Sequence, residues 1–316
     1  MSLETINDQV LNCEVKDATG LNDFQRLPAE DQIGIPRVGV NRFRIPLKFP
    51  HPQDPGTLNH DCEASMFINL RKGKTGINMS RLCQILINES EGKVIDYKFL
   101  TKLINLYKKN LRDSDDEKEI DEILVKLDFM YPLKQRSLKS DNWGWQYYKC
   151  SLEVKVENSG EPQFFLTVNF EYSSTCPCSL SMSRQYERDF KDSKITEGSG
   201  IATAHSQRSG AKCKVHLTTK AIDKEFFIDD LVKILRIALP TETQSLVKRA
   251  DEQAFAILNG SNPMFVEHAS KRVFLELEEH GELIRDWSCH IEHWESLHSH
   301  NAAALIYKGI PNGLRA

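Results

Sequence analysis

The chain has 316 residues, enough for two domains of ordinary size, and it combines 40% hydrophobic with 27% charged residues, as soluble globular proteins do. Its net charge of −4 disfavours nucleic acid as the main partner, and it lacks the long apolar run that would predict a membrane span. The N-terminus has no basic and then apolar leader, and the eight cysteines are dispersed, so we expect a cytoplasmic protein whose cysteines are free thiols or metal ligands.

The first half of the chain predicts an irregular arm followed by strands and then helices. The first thirty or so residues are polar and irregular, which is typical of an arm or loop. Beyond them, alternating apolar residues predict strands, and helical spacing of apolar residues predicts helices. The predicted strands are residues 38–47 and 65–70, and the predicted helices are 78–86, 96–111 and 117–127.

The second half of the chain predicts a hairpin and then a similar succession of elements. The hairpin has strands at 147–156 and 163–172, and its turn at 157–161 holds the Asn and Gly that a tight reversal needs. The predicted elements that follow are a strand at 213–219, a helix at 229–239 ended by Pro240, a helix opened by Pro263 that runs to 279, and strands at 287–294 and 302–307.

The order strand–strand–helix–helix–strand–strand is therefore predicted twice. We expect an α+β fold in which an antiparallel sheet packs against helices, with one module at 1–158, including the arm, and a second at 159–316 that carries most of the site residues. The two halves show no evident identity in their strands, so the duplication is inferred from the order of elements.

A cysteine pair and a histidine are the most informative chemical signal. Cys176 and Cys178 flank Pro177, which stiffens the backbone, and His205 follows 27 residues after Cys178. Thiolate and imidazole are ligands that first-row divalent metals prefer. For an arbitrary pattern of this kind, buried structural cysteines and a surface histidine are favoured by roughly two to one.

Two further clusters shift the balance toward a metal site. Residues 248–252 place acidic side chains beside a basic pair, and Glu295 lies three residues before His298 in a stretch that holds half of the ten histidines. A closed structural zinc site would need a second cysteine pair, whereas Cys213 and Cys289 are single. An open site with three protein ligands and a water fits better, and open sites are the catalytic kind.

Two charged residues are candidates for binding a substrate. Glu267 falls on the first turn of a predicted helix, where a carboxylate either complements the helix dipole or anchors a nitrogen-rich ring such as a guanine edge. The sequence alone leaves both interpretations open. Arg208, close to His205, is a better phosphate candidate than the basic loop at 71–76, which lacks the spacing of a P-loop.

Taken together, these stretches resemble the type IB GTP cyclohydrolase I family. Residues 38–40 and 75–81 are also similar to that family, so the resemblance spans about 35–304. One such motif is weak, but five in the same order are specific. The five are residues 175–179, 204–209, 248–252, 262–267 and 295–300.

The resemblance implies a fold, an assembly and a reaction. It implies two tandem tunnelling-fold modules in one subunit and a homotetramer with active sites at subunit interfaces. The implied reaction is hydrolysis of GTP to 7,8-dihydroneopterin triphosphate and formate, the first step of tetrahydrofolate biosynthesis. The segment from Leu180 to Thr203 is longer than in many members, and its pattern predicts a helix followed by a loop.

The resemblance also implies a metal centre. By position, Cys176, His205 and Glu252 are its expected ligands, with zinc, manganese or iron(II) as the cation. Such a cation lowers the pKa of a bound water toward ~7, which makes hydroxide available to attack C8 of guanine. Cys178 is a further catalytic candidate whose role stays open. It could be an alternate metal ligand, a group that contacts the ligands without touching the metal, or a structural thiol.

The remaining roles that the resemblance implies concern the substrate pocket. Glu267 would anchor the guanine, and Glu295 and His298 would line the catalytic pocket, with His298 moving protons to ring nitrogens.

Three rival functions stay open at this point. The first is a related tunnelling-fold enzyme that acts on a purine or pterin and gives a cyclic phosphate product. The second is an enzyme of the same fold in which Cys176 attacks carbon without a metal. The third is a metal-binding assembly protein without turnover, in which Cys176 and His205 only tie a loop down.

Overall fold

The computed structural model describes residues 9–17, 19–27, 32–53, 58–111 and 120–315. The chain forms two compact units. One is drawn from Met1–Pro50, Pro55–Phe129 and Leu152–Phe164, and the other from His51–Asp54, Met130–Ser151 and Phe165–Ala316. No helix within the described ranges is long and apolar enough to cross a membrane.

The first unit packs two helices with an antiparallel sheet. Its elements are β1 (Ile35–Leu47), β2 (His60–Leu70), α1 (Met79–Ser90), α2 (Tyr97–Asn110), and parts of β3 (Ile123–Arg136) and β4 (Trp143–Val156). Strand β2 pairs antiparallel with β1 and with β3, and its alternate residues are buried. Helix α2 is capped by Asp96, whose side chain accepts a hydrogen bond from Phe99 N at 2.7 Å. The strands and both helices predicted between 38 and 111 are therefore confirmed, with longer strands than the pattern indicated.

The helix predicted at 117–127 is wrong for its described residues. Residues 117–119 lie outside the described ranges, and residues 123–127 begin strand β3. Ile123, Val125 and Leu127 are buried while the residues between them are half-buried, which is the two-residue period of a strand. Short apolar runs satisfy helical and strand spacing equally, and the β-branched Ile123 and Val125 favour the strand.

The second unit is also built on an antiparallel sheet and holds the remaining elements. Strand order in the sheet follows the chain from β3 and β4 through β5 (Gln163–Thr175), β6 (Ser206–Leu217), β7 (Ile284–His293) and β8 (Ala302–Tyr307). The helices are α3 (Pro177–Lys191), α4 (Thr219–Asp223), α5 (Ile228–Ala238), α6 (Arg249–Ser261) and α7 (Val266–Glu279). The hairpin of β4 and β5, the helix after Cys178, the helix before Pro240 and the two closing strands are confirmed.

Three boundaries in the second unit differ from the predictions. Strand β6 begins at Ser206, seven residues earlier than predicted, and Thr219 opens α4 instead of ending the strand. Helix α6 was not predicted at all. Pro263 lies between α6 and α7 and not in the first turn of a helix, because α6 ends at Ser261 and α7 starts at Val266.

The expected fold class is confirmed as α+β, an antiparallel sheet with helices. Two strands, helices and two strands follow one another in each half, as expected of two tandem tunnelling-fold modules, but in the second half helix α3 also lies between β5 and β6. The predicted boundary between residues 158 and 159 falls in the turn between β4 and β5, and it stays a prediction. Much of the predicted N-terminal arm, residues 1–8, 18 and 28–31, lies outside the described ranges. The described part of that arm includes a 3-10 turn at Phe24–Arg26.

Candidate active site

The candidate site lies where β5 ends and β6 begins. Thr175 and Ser206 form the last register pair of the two strands, and their hydroxyls lie 2.8 Å apart. One residue further, the backbone N–H of Cys176 donates to the carbonyl of His205 at 3.2 Å. The sheet therefore brings together the backbones of a cysteine and a histidine that are far apart in the sequence.

Cys176 is fixed by the start of helix α3. It occupies the N-cap position, its Sγ accepts a hydrogen bond from Ser179 N at 3.5 Å, and Pro177 follows as the first helical residue. The Cys176 side chain therefore lies at the N-terminus of a helix, the end toward which backbone N–H groups point. Cys178, in the first turn of the same helix, is exposed.

His205 is held in place by a buried chain of hydrogen bonds. Its Nδ1 lies 3.0 Å from Gln207 Oε1, and Gln207 Nε2 donates to Ser174 Oγ at 2.8 Å. Ser174 Oγ in turn lies 2.8 Å from Ser209 Oγ. On the main chain, His205 N donates to Ser179 Oγ at 3.2 Å. With Nδ1 engaged by Gln207, the other ring nitrogen, Nε2, is the one left to act as a ligand or base.

Glu295 reaches the same place from the segment that follows β7. That segment is tied to β6 by Trp294 N, which donates to Arg208 O at 3.1 Å, and by Ser296 Oγ, which donates to Ser206 O at 3.3 Å. The Glu295 side chain is only 11% exposed, and its Oε2 lies 3.8 Å from His205 Nδ1. This buried oxygen accepts no hydrogen bond from the residues that the structure describes.

His298 lies three residues further along and is exposed. Its ring stacks on that of His300, with centroids 5.0 Å apart. Glu295 and His298, which were expected to line one pocket, therefore do not lie together. The Glu295 carboxylate lies beside His205, and the His298 imidazole faces solvent.

Glu267 lies on the first turn of α7, and the residues just before that helix are hydrogen-bonded to the end of β5. Met264 N, just before the helix, donates to Thr175 O at 3.0 Å, beside Cys176. The Glu267 carboxylate is exposed and lies close enough to His293 to act on its charge. Burial lowers the pKa of His293 to about 4, and the negative Glu267 opposes that shift. His293 Nε2 lies 2.9 Å from the hydroxyl of Tyr172.

Arg208 and Glu252 line a separate cleft of about 530 Å³. Arg208 lies over the ring of Trp294 at 5.7 Å, with its guanidinium 3.5 Å from the Glu171 carboxylate. The cleft walls are Gln146, Glu171, Ser173, Arg208, Thr243, Gln244, Val247, Glu252 and Phe255.

Strand register places this cleft on the opposite face of the sheet from Gln207. Ser173 pairs with Arg208, and Ser174 pairs with Gln207, so the two pairs point to opposite faces. Glu252 shares the cleft with Ser173 and Arg208, while His205 is bonded on the Gln207 side.

The described ranges contain no group of three or more His, Cys, Asp or Glu side chains placed to hold a metal ion. Of the three expected ligands, the chain brings Cys176 and His205 side by side and places Glu252 in the cleft. The donors of Cys176 and His205 do fit a divalent cation chemically, because thiolate and imidazole suit zinc best, iron(II) next and the harder manganese least. The buried, unpaired oxygen of Glu295 beside them is a further group that a positive charge would satisfy.

Sequence reasoning missed Gln207 and Ser174 as functional candidates. Gln207 lies two residues after His205 on a strand, so both side chains share a face, and that spacing was the available signal. Ser174 could not be found in the same way, because its contact with Gln207 depends on the register of β5 and β6.

An antiparallel α+β sheet that presents a thiol at a helix start, an oriented imidazole and a buried carboxylate at one strand end has the side chains of a hydrolytic enzyme site. Comparison with known sequences identifies the family within this class of enzyme. The sequence model described as Type I GTP cyclohydrolase folE2 matches residues 21–304. The chain belongs to this family.

Curated relatives agree with that assignment. The chain is 38% identical over 275 residues to the GTP cyclohydrolase FolE2 of Dinoroseobacter shibae, which covers 87% of this chain and 70% of the relative. It is 36% identical over 293 residues to the GTP cyclohydrolase FolE2 of Cereibacter sphaeroides, covering 92% of this chain and 76% of the relative. The resemblance found in the sequence is thereby confirmed at the level of the family.

Among solved structures, the chain is similar to a uricase from Arthrobacter globiformis, with a TM-score of 0.47 and 10% identity over 89% of this chain and 95% of that one.

Proposed function

We propose that this chain hydrolyses GTP to 7,8-dihydroneopterin triphosphate and formate, and that it thereby starts tetrahydrofolate biosynthesis. It is a hydrolase of the GTP cyclohydrolase I type, and GTP is its substrate. The observation that carries the proposal is the family match over residues 21–304, together with the adjacency of Cys176 and His205 at one strand end.

A divalent cation is part of this proposal. Cys176 Sγ and His205 Nε2 would hold it, with Glu252 as the proposed third ligand and zinc, manganese or iron(II) as the ion. Bound there, the cation supplies a Lewis acid and lowers the pKa of a water to about 7. Glu252 is the one proposed ligand that lines the cleft instead of lying beside the other two.

The chain's own groups would orient the purine and move protons. Glu267 can accept two N–H bonds from the guanine edge in one plane. The backbone N–H of Met264, three residues before it, donates to Thr175 O next to Cys176, which supports this role. Glu295 faces the imidazole of His205 and can accept a proton or a hydrogen bond in a site with little solvent. His298 is proposed as the proton shuttle to ring nitrogens, and Arg208 as the contact for the phosphates.

The direct test is to incubate the metal-loaded protein with GTP and to measure formate and the mass of the pterin product. Formate with a neopterin triphosphate supports the proposal. A cyclic phosphate product would instead favour the related tunnelling-fold activity, and the absence of any product would favour an assembly protein.

Metal dependence is tested separately on the same protein. Complete chelation should abolish formate release, and refilling with one divalent ion at a time should restore it and rank the ions. Full turnover in chelated protein would favour Cys176 as a nucleophile that needs no metal.

A homotetramer and a cytoplasmic location complete the proposal. Strand β8 lies at the end of the strand order, and its Leu305 is 60% exposed, which supports self-association through that edge. The molar mass in solution, measured by light scattering, tests the tetramer, and fractionation of cells tests the location.

A further inference from the structure

Gln207 contacts the imidazole of His205 from the interior of the protein. Its side chain is buried, and it bridges His205 Nδ1 at 3.0 Å and Ser174 Oγ at 2.8 Å. Ser174 and Ser209 are fully buried, and their hydroxyls lie 2.8 Å apart, so the chain of contacts ends inside the protein. Each bond is short enough to fix the amide in one plane.

The orientation of the Gln207 amide determines which nitrogen of His205 carries the proton. When Oε1 faces Nδ1, that nitrogen must donate, and the lone pair lies on Nε2. A second observation favours the same tautomer. Glu295 Oε2 lies 3.8 Å from Nδ1, and a carboxylate stabilises an N–H that points toward it. Both neighbours of Nδ1 are therefore acceptors.

We propose that Gln207 is a positioning residue that holds His205 in its Nδ1–H tautomer and so directs the Nε2 lone pair to the cation. This inference rests on the proposed metal-dependent function. A hydrogen bond at the ring nitrogen that does not contact the metal fixes the tautomer and orientation of a metal-binding histidine. Loss of such a bond lowers metal affinity by about 10–100-fold. The same loss is expected here when Gln207 can no longer accept from Nδ1.

The test compares two substitutions of similar size. Gln207→Leu keeps the volume but removes both hydrogen bonds. Gln207→Glu keeps an acceptor for Nδ1–H, and its other oxygen can accept from the Ser174 hydroxyl, which is free to rotate. Gln163→Leu, at the opposite end of β5, is the matched control for replacing a glutamine by leucine.

Two measurements separate positioning from mere stability. The tautomer of His205 is read by solid-state NMR of metal-free protein labelled with ¹⁵N-histidine at about pH 8, above the ordinary histidine pKa, with the His205 signals assigned from a His205→Asn spectrum. Manganese and zinc dissociation constants are measured by competition with a chromogenic chelator.

The expected result is Nδ1–H in the wild type, in Gln207→Glu and in Gln163→Leu, and a shift toward Nε2–H in Gln207→Leu with about 10–100-fold weaker metal binding. A wild-type signal from Nε2–H would overturn the inference, and so would a Gln207→Leu protein that keeps both the tautomer and the affinity. If Gln207→Leu does not fold, the wild-type and Gln207→Glu spectra still decide.

Failure of the proposed function is distinguishable from failure of this inference. The tautomer is measured without metal and without GTP, so it reports on the residues around the His205 ring and not on the reaction. A wild-type protein that binds metal through His205 but releases no formate would count against the reaction, and the inference about Gln207 would stand.

Discussion

Replacing Glu242 by Ala should destabilise the second unit strongly. Glu242 is buried, and its carboxylate accepts from Tyr148 Oη, from Arg236 Nε at 2.7 Å and from Gln135 Nε2 at 2.9 Å. Removing one partner of a buried ion pair costs about 3–5 kcal/mol, because the other charge is left without compensation. The Arg236 side chain is 34% exposed and can recover some hydration, so we expect a loss near the lower end, about 3 kcal/mol.

The assay is equilibrium unfolding in urea, followed by tryptophan fluorescence. Glu171→Ala is the matched control, because its carboxylate also faces an arginine, Arg208, but at 3.5 Å and with both side chains exposed. An exposed pair of this kind contributes about 0–1 kcal/mol, so the control should change little. A loss below about 1 kcal/mol for Glu242→Ala would refute the reasoning, since the buried carboxylate would then be behaving like the exposed one.

The other predictions concern the site. Cys176→Ala should lose bound metal and turnover together, whereas Cys83→Ala, at a half-buried thiol on α1, should keep both. Glu267→Gln should weaken discrimination of GTP from inosine triphosphate by about 10-fold or more, because the amide that replaces the carboxylate has only one oxygen to accept N–H bonds from guanine. Glu279→Gln, at the far end of α7, should leave the discrimination unchanged. Burial lowers the pKa of His293 to about 4 from the usual 6.5, so the folded state binds fewer protons between those values. Folding stability should therefore fall as pH drops from about 6.5 to 4, and His293→Gln should flatten that fall.

Each of these has an outcome that contradicts it. Retention of stoichiometric metal by Cys176→Ala, measured by elemental analysis, would remove Cys176 from the ligand set. Unchanged kcat/KM ratios for the two nucleotides in Glu267→Gln would remove the guanine contact. Identical stability-versus-pH curves for His293→Gln and the wild type, from thermal melts, would show that His293 is not the group that titrates.

The fold could be predicted from the sequence wherever the spacing of apolar residues fitted only a helix or only a strand. Helix α2 was predicted within one residue at each end, because Asp96 is a capping residue and the apolar residues repeat at helical spacing. Strand β3 was missed because its apolar residues at 123–127 also satisfy a short helical pattern. Helix α6 was missed because its buried face is slight, with only Asp251 fully buried along it.

The site could be predicted in its chemistry and only partly in its geometry. Cys176 and His205 were expected to meet, and the register of β5 with β6 brings them together. The sequence could not tell on which face of the sheet Glu252 and His205 lie, because that depends on register and on the position of α6. For the same reason, the hydrogen bonds of Gln207 became visible only in the structure.

The account depends most on a cation held by Cys176 and His205 and needed for the reaction with GTP. The measurement that tests it most directly is formate release from GTP by protein stripped of metal and then refilled. The account predicts loss of formate on stripping, recovery with a divalent ion, and no recovery in His205→Asn. Formate release at the original rate from fully stripped protein would contradict it.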